Sequence, residues 1–284
     1  MNINVLLKKK DTVSVGILRI ILVLFIIISS YPIIFVILTS LKSTSEFLSN
    51  IWAFPSAFKH SNYIIAWTEG HIGEYFLSSV IVTATSLVII LITSSLAGYA
   101  LARLKIPFSG PITVFLFIIM ILPIESIIIP LYIMMTRVKL INIRYVPMIL
   151  AYIGWCIPFS IIVLKNFFQT IPNELLESSK IDGATELQTL WKIVVPLMAP
   201  ALGTCTVFNF CAIWGELMWA QIATSAVDVG LTLTCGMVAF QGQYSTDWGP
   251  MCAAICMIIV PLVIVFIFLQ KYFVKGLTIG AVKG

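Results

Sequence analysis

The stretch Pro172-Asn-Glu-Leu-Leu-Glu-Ser-Ser-Lys-Ile-Asp-Gly-Ala184, which runs on to Ile193-Val-Val-Pro196, is a polar island between two long apolar runs. Charged side chains gain nothing from a lipid bilayer, where they are costly to bury. We therefore expect this island to lie in water and to present itself to another protein, while the apolar runs on either side form the rest of the fold.

The composition is that of a membrane protein. Hydrophobic residues make up 60% of the 284 residues, and charged residues make up 10%. A soluble domain of this length could not cover its surface with so few charges. The charges are also clustered, and long uncharged intervals lie between residues 74 and 103, 105 and 125, 144 and 165, 192 and 216, and 247 and 271.

These intervals predict membrane-spanning helices. A helix needs about 20 apolar residues to cross the hydrocarbon core. The alternation of a barrel strand is absent, which leaves helices as the spanning form. The third of the six predicted spans, with Pro123 and Pro130, should be kinked. We predict an all-α polytopic protein with spans at about 17–41, 76–102, 111–135, 146–168, 194–222 and 250–271.

The distribution of basic residues predicts the orientation. Six crossings place both termini on one face, and twelve of the 17 Lys and Arg residues fall on that face. Cytoplasmic loops carry the excess of basic residues, so we expect both termini in the cytoplasm. The basic cluster at 137–144 conflicts with this assignment. Topology alone accounts for the net charge of +5, and no nucleic-acid partner is needed.

The polar island itself reads as two short helices joined by a sharp turn. Pro172 suits a first helical turn, and Glu174 suits the positive end of the helix dipole. Gly183 supplies the positive φ that ends a helix. Thr185 and Gln188 form a capping-box pattern for a second helix. On local chemistry alone, this is either a docking element or an ordinary polar loop.

A longer pattern resembles a known family. Glu177-Ser-Ser-x-x-x-Gly183, nine residues, then Ile193-x-Val-Pro196 is similar to the cytoplasmic "EAA" signature of ABC importer permeases, which reads Glu-Ala-Ala, three residues, Gly, nine residues, Ile-x-Leu-Pro. The spacing matches throughout, and Ser178, Ser179 and Val195 depart from it. Further segments resemble carbohydrate permeases of the maltose type, second (G-type) subunit: Ile181-Asp-Gly-Ala184, Phe240-Gln-Gly-Gln-Tyr244, Asp247-Trp248 and the ending Gly276–Gly284.

The resemblance implies the type I ABC importer transmembrane domain in a bacterial plasma or inner membrane. It divides the chain into an N-terminal part (1–74), a permease core (75–271) with the coupling helix (172–193), and a cytoplasmic tail (272–284). The implied partners are a second homologous permease, two ATPase subunits, an extracellular or periplasmic sugar-binding protein, and membrane lipid. The residues expected to contact the ATPase are Glu174, Glu177, Ser178, Ser179, Asp182, Gly183, Ala184 and Pro196, with Lys283 and Gly284 in the tail.

Two carboxylates stand beside or inside apolar spans, Glu125 and Glu216. A charged group there costs at least about 2.5–3.5 kcal/mol on insertion scales, so each should face the bundle interior, pair, or line water. One hypothesis is that Glu216 lines a sugar route, because aromatic faces and polar groups suit pyranose rings. The other is helix-to-helix hydrogen bonding or a position at the wet external end of the span, and we favour this second hypothesis for Glu125. The expected route residues are Glu216, Trp214, Trp219, Asn209, Gln221 and Glu125.

No enzyme motif is present in the sequence. It has no Gly-x-x-x-x-Gly-Lys-Ser/Thr phosphate loop, so any ATP hydrolysis, and with it Mg-ATP, belongs on partner subunits. No catalytic residue, cofactor or metal site is expected on this chain, and we interpret the six cysteines as buried small hydrophobes. Two alternatives remain open: an ion-coupled secondary carrier, and an ABC importer permease for a solute other than sugar. A non-transporting scaffold would not need intramembrane carboxylates.

Overall fold

The computed structural model describes residues 3–224, 230–242 and 244–281, with side chains over 15–224, 230–242 and 244–272. Its helices are α1 (Ile3–Ser40), α2 (Thr44–Ser49), α3 (Ser61–Glu69), α4 (Ile72–Arg103), α5 (Ser109–Ile121), α6 (Ile128–Arg137), α7 (Val146–Phe168), α8 (Asn173–Ile181), α9 (Glu186–Thr189), α10 (Val195–Leu197), α11 (Ala199–Trp214), α12 (Met218–Thr224), α13 (Leu233–Val238) and α14 (Trp248–Ala281).

Shorter helical turns complete this architecture. There are 3₁₀ turns at Ile124–Ser126 and Leu140–Asn142, and a π-helical turn at Leu190–Val194. Among the described residues the only β-type pairing is an isolated antiparallel bridge between Gln241 and Thr246. The predicted all-α fold is confirmed.

Four helices of the described chain are long and apolar enough to cross a membrane: Val15–Ser40, Ile72–Arg103, Val146–Phe168 and Trp248–Tyr272. A fifth is gained if Glu186–Leu197 and Ala199–Trp214, which are bent by 77°, count as one span. The predicted count of six is therefore not confirmed.

The predicted third span, 111–135, is divided. Helix α5 ends at Ile121, and Leu122 and Pro123 have extended backbone before the 3₁₀ turn. Pro123 cannot supply a backbone N–H, so it helps to end α5 where the sequence predicted a kink. Pro130, by contrast, lies in the first turn of α6, where a missing N–H leaves no helical hydrogen bond unmade.

The described residues form two compact units. The first comprises the chain up to Gly70 together with Ala239–Cys256. Apolar side chains of α1 are exposed along most of its length, as in a helix that faces lipid. At its C-terminal end, the buried Asn62 of α3 donates its amide hydrogens to the carbonyls of Ser40 at 2.8 Å and Lys42 at 2.7 Å.

The second unit comprises His71–Val238 and the chain from Met257 onward. Its centre is the packing of α4 against α7. Small residues on α4 allow this close approach: a Cβ added at Gly98 would lie 3.2 Å from the backbone nitrogen of Lys165 and 3.3 Å from Leu164 Cβ. The C-terminal end of α4 is thereby held beside the chain that leads from α7 into α8.

Candidate functional site

The polar island of the sequence folds as two short helices outside the long apolar helices. Helix α8, the turn after it and α9 form what we call the polar elbow (residues 173–189). Pro172 is the N-cap of α8, one position before the first turn in which we had expected it. Gly183 has a φ of 79°, in the left-handed region that side chains disfavour.

Hydrogen bonds close both ends of the turn. The N–H of Gly183 donates to the Lys180 carbonyl and the N–H of Ala184 to the Ser179 carbonyl, each at 3.0 Å, which is a Schellman motif. Thr185 then starts α9: its N–H donates to Gln188 Oε1 at 2.9 Å, and its Oγ1 accepts from the Gln188 N–H at 3.3 Å. The predicted capping box and glycine turn are both present.

The exposed face of the polar elbow is partly apolar. Ile181 is 86% exposed and Leu187 is 61% exposed, and both lie among charged neighbours. The sequence analysis includes Ile181 only as part of the segment Ile181-Asp-Gly-Ala184 and does not include Leu187, because the family pattern consists mainly of charged and small residues. Of the predicted ATPase contacts, those exposed are Glu174, Glu177, Ser178, Asp182, Gly183 and Pro196, while Ala184 is half-buried.

Ser179 lies on the opposite face of α8 and is buried. Its hydroxyl lies 3.0 Å from that of Thr189 and donates to the Leu176 carbonyl at 2.7 Å. This departure from the Ala of the EAA signature therefore ties α8 to α9. We correct the expectation that Ser179 contacts a partner, because the structure turns it inward; Ser178 is the exposed member of the pair.

Arg103, at the end of α4, holds the start of the polar elbow. Its Nε donates to the Phe168 carbonyl at 3.0 Å, and its Nη2 donates to the carbonyls of Phe168 and Ile171. Its Nη1 donates to Asn173 Oδ1 at 2.6 Å. One planar guanidinium thus joins α4 to the end of α7 and to the first residue of α8.

A second contact joins α4 to the far side of the polar elbow. Tyr99 OH donates to Glu186 Oε2 at 2.8 Å, and Lys180 Nζ lies 2.7 Å from Glu186 Oε1. The hydrogen bonds from Lys180 and then Tyr99 hold the pKa of Glu186 below its usual value. Both arms of the polar elbow are therefore tied to the same helix, and we refer to Tyr99 and Arg103 together as the α4 clamp.

A cavity of about 300 Å³ lies between the break in the third predicted span and helices α7 and α11. We call it the aromatic cavity. Its walls are formed by Ile124, Glu125, Ile128, Tyr152, Trp155, Cys156, Phe159, Phe208, Asn209, Ala212, Ile213, Glu216 and Met218.

Glu216 is the best-connected of the polar groups on these walls. Its Oε1 accepts from the Trp219 N–H at 2.7 Å, and its Oε2 accepts from the Ala220 N–H at 3.0 Å and from Tyr152 OH at 2.8 Å. Glu216 therefore caps α12 and also bonds to α7. The helix-to-helix hydrogen bonding that we weighed against a route for this residue is observed, and the carboxylate still faces the cavity.

The predicted route residues separate into two groups. Glu125, Asn209 and Glu216 line the aromatic cavity, although Asn209 is buried and donates its amide to Ser160 Oγ at 2.8 Å. The three other predicted route residues, Trp214, Trp219 and Gln221, do not line this cavity.

The two indoles are buried for a physical reason. Trp214 Nε1 donates to the Ile258 carbonyl at 3.0 Å, and Trp219 Nε1 donates to the Pro147 carbonyl at 3.2 Å. An indole N–H inside an apolar bundle needs such an acceptor, so each ring turns toward one. Gln221 is exposed on α12, away from the cavity walls.

The aromatic wall that the sequence analysis missed comes from α7. Tyr152, Trp155, Cys156 and Phe159 all line the cavity. Their spacing of three, four and seven residues places them on one face of a helix, and this stripe was a readable signal. The predicted tail contacts, Lys283 and Gly284, lie outside the described residues.

Comparison with known proteins identifies the relatives of this chain. Residues 92–279 match the family described as "Binding-protein-dependent transport system inner membrane component". The diacetylchitobiose uptake system permease protein NgcG of Streptomyces coelicolor is 30% identical over 264 residues, covering 92% of this chain and 87% of that protein. The melibiose/raffinose/stachyose import permease protein MelC of Bacillus subtilis is 32% identical over 254 residues, covering 89% and 91%.

The fold also has a solved counterpart. It resembles a chain of a bacterial ABC transporter involved in the import of the acidic polysaccharide alginate, with a TM-score of 0.72 and 24% identity over 93% of this chain and 98% of that one. At this identity, the likeness shows a shared fold. Together, the family match and the relatives favour an importer subunit over an ion-coupled secondary carrier. The chain belongs to the family of inner membrane components of binding-protein-dependent transport systems, and it is a multi-pass membrane permease.

Proposed function

We propose that this chain is a permease subunit of an ATP-driven, binding-protein-dependent importer of oligosaccharides. It forms half of the solute pathway, and a second homologous permease forms the other half. Two ATPase subunits bind on the cytoplasmic side, and an extracellular or periplasmic binding protein delivers the sugar. Both termini lie in the cytoplasm, as the excess of Lys and Arg on that side favours.

The observation that carries this proposal is the polar elbow. It combines an exposed apolar pair, Ile181 and Leu187, with exposed acidic side chains. Its internal hydrogen bonds fix its shape before any partner binds, which lowers the entropic cost of docking. A surface of this kind suits a groove on a separate ATPase subunit.

The α4 clamp supports a mechanical role for the polar elbow. Because Tyr99 and Arg103 hold both of its arms, a displacement of the elbow must also displace the end of α4. ATP-driven closure of the ATPases would thus move a membrane-spanning helix. The ATPases bind the two states of the permease with different affinity, and that difference drives the change.

Nucleotide chemistry belongs to the partners. The sequence has no phosphate-binding loop, so Mg-ATP is held and hydrolysed on the ATPase subunits. This chain has no catalytic residue and needs no cofactor of its own. It is a moving part of the transporter and not an enzyme.

The aromatic cavity is the proposed part of the solute route on this subunit. Trp155 and Phe159 offer ring faces to the CH faces of a pyranose, while Glu125 and Glu216 border the cavity with carboxylates. Pockets for small ligands typically combine apolar walls with a few placed polar groups. The named sugar substrates of the two relatives support a sugar as the solute here.

The decisive test is the substitution Gly183→Val. A β-branched side chain disfavours the φ of 79°, so the polar elbow must change shape while the membrane helices stay intact. We expect uptake of radiolabelled oligosaccharide in cells to fall at least about tenfold, the consequence of roughly 1–3 kcal/mol of backbone strain at a docking element. Co-purification of the ATPase should fall with it.

Gly110→Val is the matched control. Gly110 is helical, and an added Cβ there meets nothing within 4 Å, so uptake should persist. Undiminished uptake in Gly183→Val, with normal membrane levels of both variants, would contradict the proposed coupling.

A further inference from the structure

The walls of the aromatic cavity carry charge of one sign. Among the described residues that line it, Glu125 and Glu216 are acidic, and none is Lys, Arg or His. The other polar side-chain groups of these residues are a Tyr hydroxyl, a Trp indole N–H, an amide and a thiol. None of the described lining residues therefore neutralises the two carboxylates with a full positive charge.

The two carboxylates differ in what they already bind. Glu216 is held by two backbone N–H groups of α12 and by Tyr152 OH. The positive end of a helix dipole offsets part of its charge. Glu125 is exposed in the 3₁₀ turn between α5 and α6, and its side chain has no hydrogen bond or ion pair to any other described residue. Of the two carboxylates that line the cavity, Glu125 is therefore the one without a bonding partner among the described residues.

We propose that the aromatic cavity selects solutes by charge, admitting neutral and cationic sugars, such as amino sugars, and disfavouring anionic ones, such as uronic acids. This inference rests on the proposed function, since it concerns the solute of the same route. A fixed negative charge beside low-dielectric walls focuses its field into the cavity, where it attracts cations and repels anions. Trp155, a half-buried residue of the cavity wall, adds a ring face that also attracts cations.

The rival account is that Glu125 pairs with a basic residue of the second permease. In that case the assembled cavity would carry no excess negative charge, and neutralising Glu125 would leave an unpaired cation. The two accounts predict different local potentials in the unsubstituted transporter, negative if Glu125 is unpaired and close to neutral if it is paired. A measurement of that potential in the assembled transporter therefore decides between them.

Ala212 supplies a reporter position, because it lines the cavity and is exposed. We would replace the cavity-lining Cys156, the exposed Cys211 and the half-buried Cys256 by Ala and introduce Ala212→Cys. The purified complex of both permeases and the ATPases is then treated with a trimethylammonium-ethyl and, separately, a sulfonato-ethyl methanethiosulfonate. The quantity measured is the ratio of the two labelling rates, and the background without Ala212→Cys is subtracted.

The control position is Ala57→Cys, an exposed residue of the loop between α2 and α3. We expect the cation-to-anion rate ratio at position 212 to exceed that at position 57 by about fivefold, the size expected for one charge roughly 8 Å away in water, which attracts one reagent and repels the other. Glu125→Gln should lower the ratio at 212 severalfold and leave the ratio at 57 unchanged. If Glu125→Gln fails to assemble, high salt applied to the parent complex should lower the ratio by screening.

Equal ratios at the two positions, a ratio at 212 that rises in Glu125→Gln, or no labelling at 212 by either reagent would each overturn the inference. The thiol assay needs no sugar, so it is separate from the proposed function. If the ratio behaves as expected but cells accumulate no neutral disaccharide, hexosamine disaccharide or uronate disaccharide, the proposed function fails and the charge of the cavity stands. If sugars accumulate without preference among the three classes, the selectivity fails alone.

Discussion

The polar elbow and the break between α11 and α12 each contain the start of a helix, where the first backbone N–H groups have no acceptor within the helix. In the polar elbow, Thr185 and Gln188 satisfy the free N–H groups with neutral side chains from the same few residues. At the other break, the carboxylate of Glu216 accepts the N–H groups of α12 and reaches across to Tyr152. The cap of α9 thus comes entirely from its own residues, whereas the cap of α12 is also bonded to α7.

This difference follows from the surroundings. The polar elbow is exposed, so water can satisfy whatever its caps leave open, and neutral caps suffice. The start of α12 is packed among buried side chains such as Trp219 and Ala220. An unsatisfied N–H costs more there, and an ionised acceptor makes the stronger hydrogen bond. We therefore expect substitutions at the start of α12 to reduce stability, and substitutions in the polar elbow to reduce the coupling of ATP hydrolysis to transport.

The largest effect should come from Glu216→Ala. It leaves two buried N–H groups and the Tyr152 hydroxyl without their acceptor, which we expect to cost about 2–4 kcal/mol of stability. The temperature at which the purified complex loses its native elution profile after heating should fall clearly. Glu216→Gln keeps one acceptor oxygen, so its transition temperature should lie between those of the parent and Glu216→Ala.

Glu125→Ala is the matched control for this prediction. It removes the other carboxylate of the cavity, but that side chain has no hydrogen bond to another described residue. Its heating profile should stay close to that of the parent. A Glu216→Ala complex as heat-resistant as the parent would show that the cap does not stabilise the fold.

The next effect concerns the α4 clamp. Arg103→Ala removes donors to the Phe168 and Ile171 carbonyls and to Asn173, so the polar elbow keeps its shape but loses one of its two ties to α4. We expect assembly to persist and the number of ATP molecules hydrolysed per sugar imported to rise severalfold. Arg103→Lys should recover little, because an ammonium cannot reproduce a planar fork of donors. An unchanged ratio of ATP to sugar, despite lower protein yield, would point to a purely structural role.

The smallest effect is a dependence on pH. Hydrogen bonds from Lys180 and Tyr99 lower the pKa of Glu186 in the folded state. The stabilisation they give is therefore present above the unfolded-state pKa of about 4.3 and is lost as the pH falls through the lower folded-state value. The parent should lose slightly more thermal stability than Glu186→Gln on acidification through this window. Glu174→Gln, which keeps that network intact, should follow the parent.

Features decided within a few residues could be predicted from the sequence. The capping box at Thr185 and Gln188, the positive φ of Gly183 and the break near Pro123 each depend on chemistry that their own neighbours supply. Helix composition likewise predicted the all-α fold and most of the membrane spans. No knowledge of the tertiary packing was needed for these.

Features decided by which helix faces which could not be predicted in this way. The sequence does not say that Trp214 and Trp219 find carbonyl acceptors inside the bundle, or that Arg103 meets the end of α7. The bend of 77° at the start of the predicted fifth span likewise has no clear local signal. The hydrogen bonds of Trp214, Arg103 and Trp219 join residues that lie 44 to 72 positions apart along the chain.

The π-helical turn at Leu190–Val194 begins in the nine-residue interval that separates Gly183 from Ile193 in the sequence pattern and ends just past it. A π-helical turn holds one residue more than an α-helical turn. It therefore helps to set the rotation of the polar elbow about the helix axis relative to α10 and α11, which follow it. Removing a single residue there would rotate one against the other by about 100° without touching any docking side chain. The number of residues in this interval therefore sets the direction in which the polar elbow faces, in addition to what its side chains contribute.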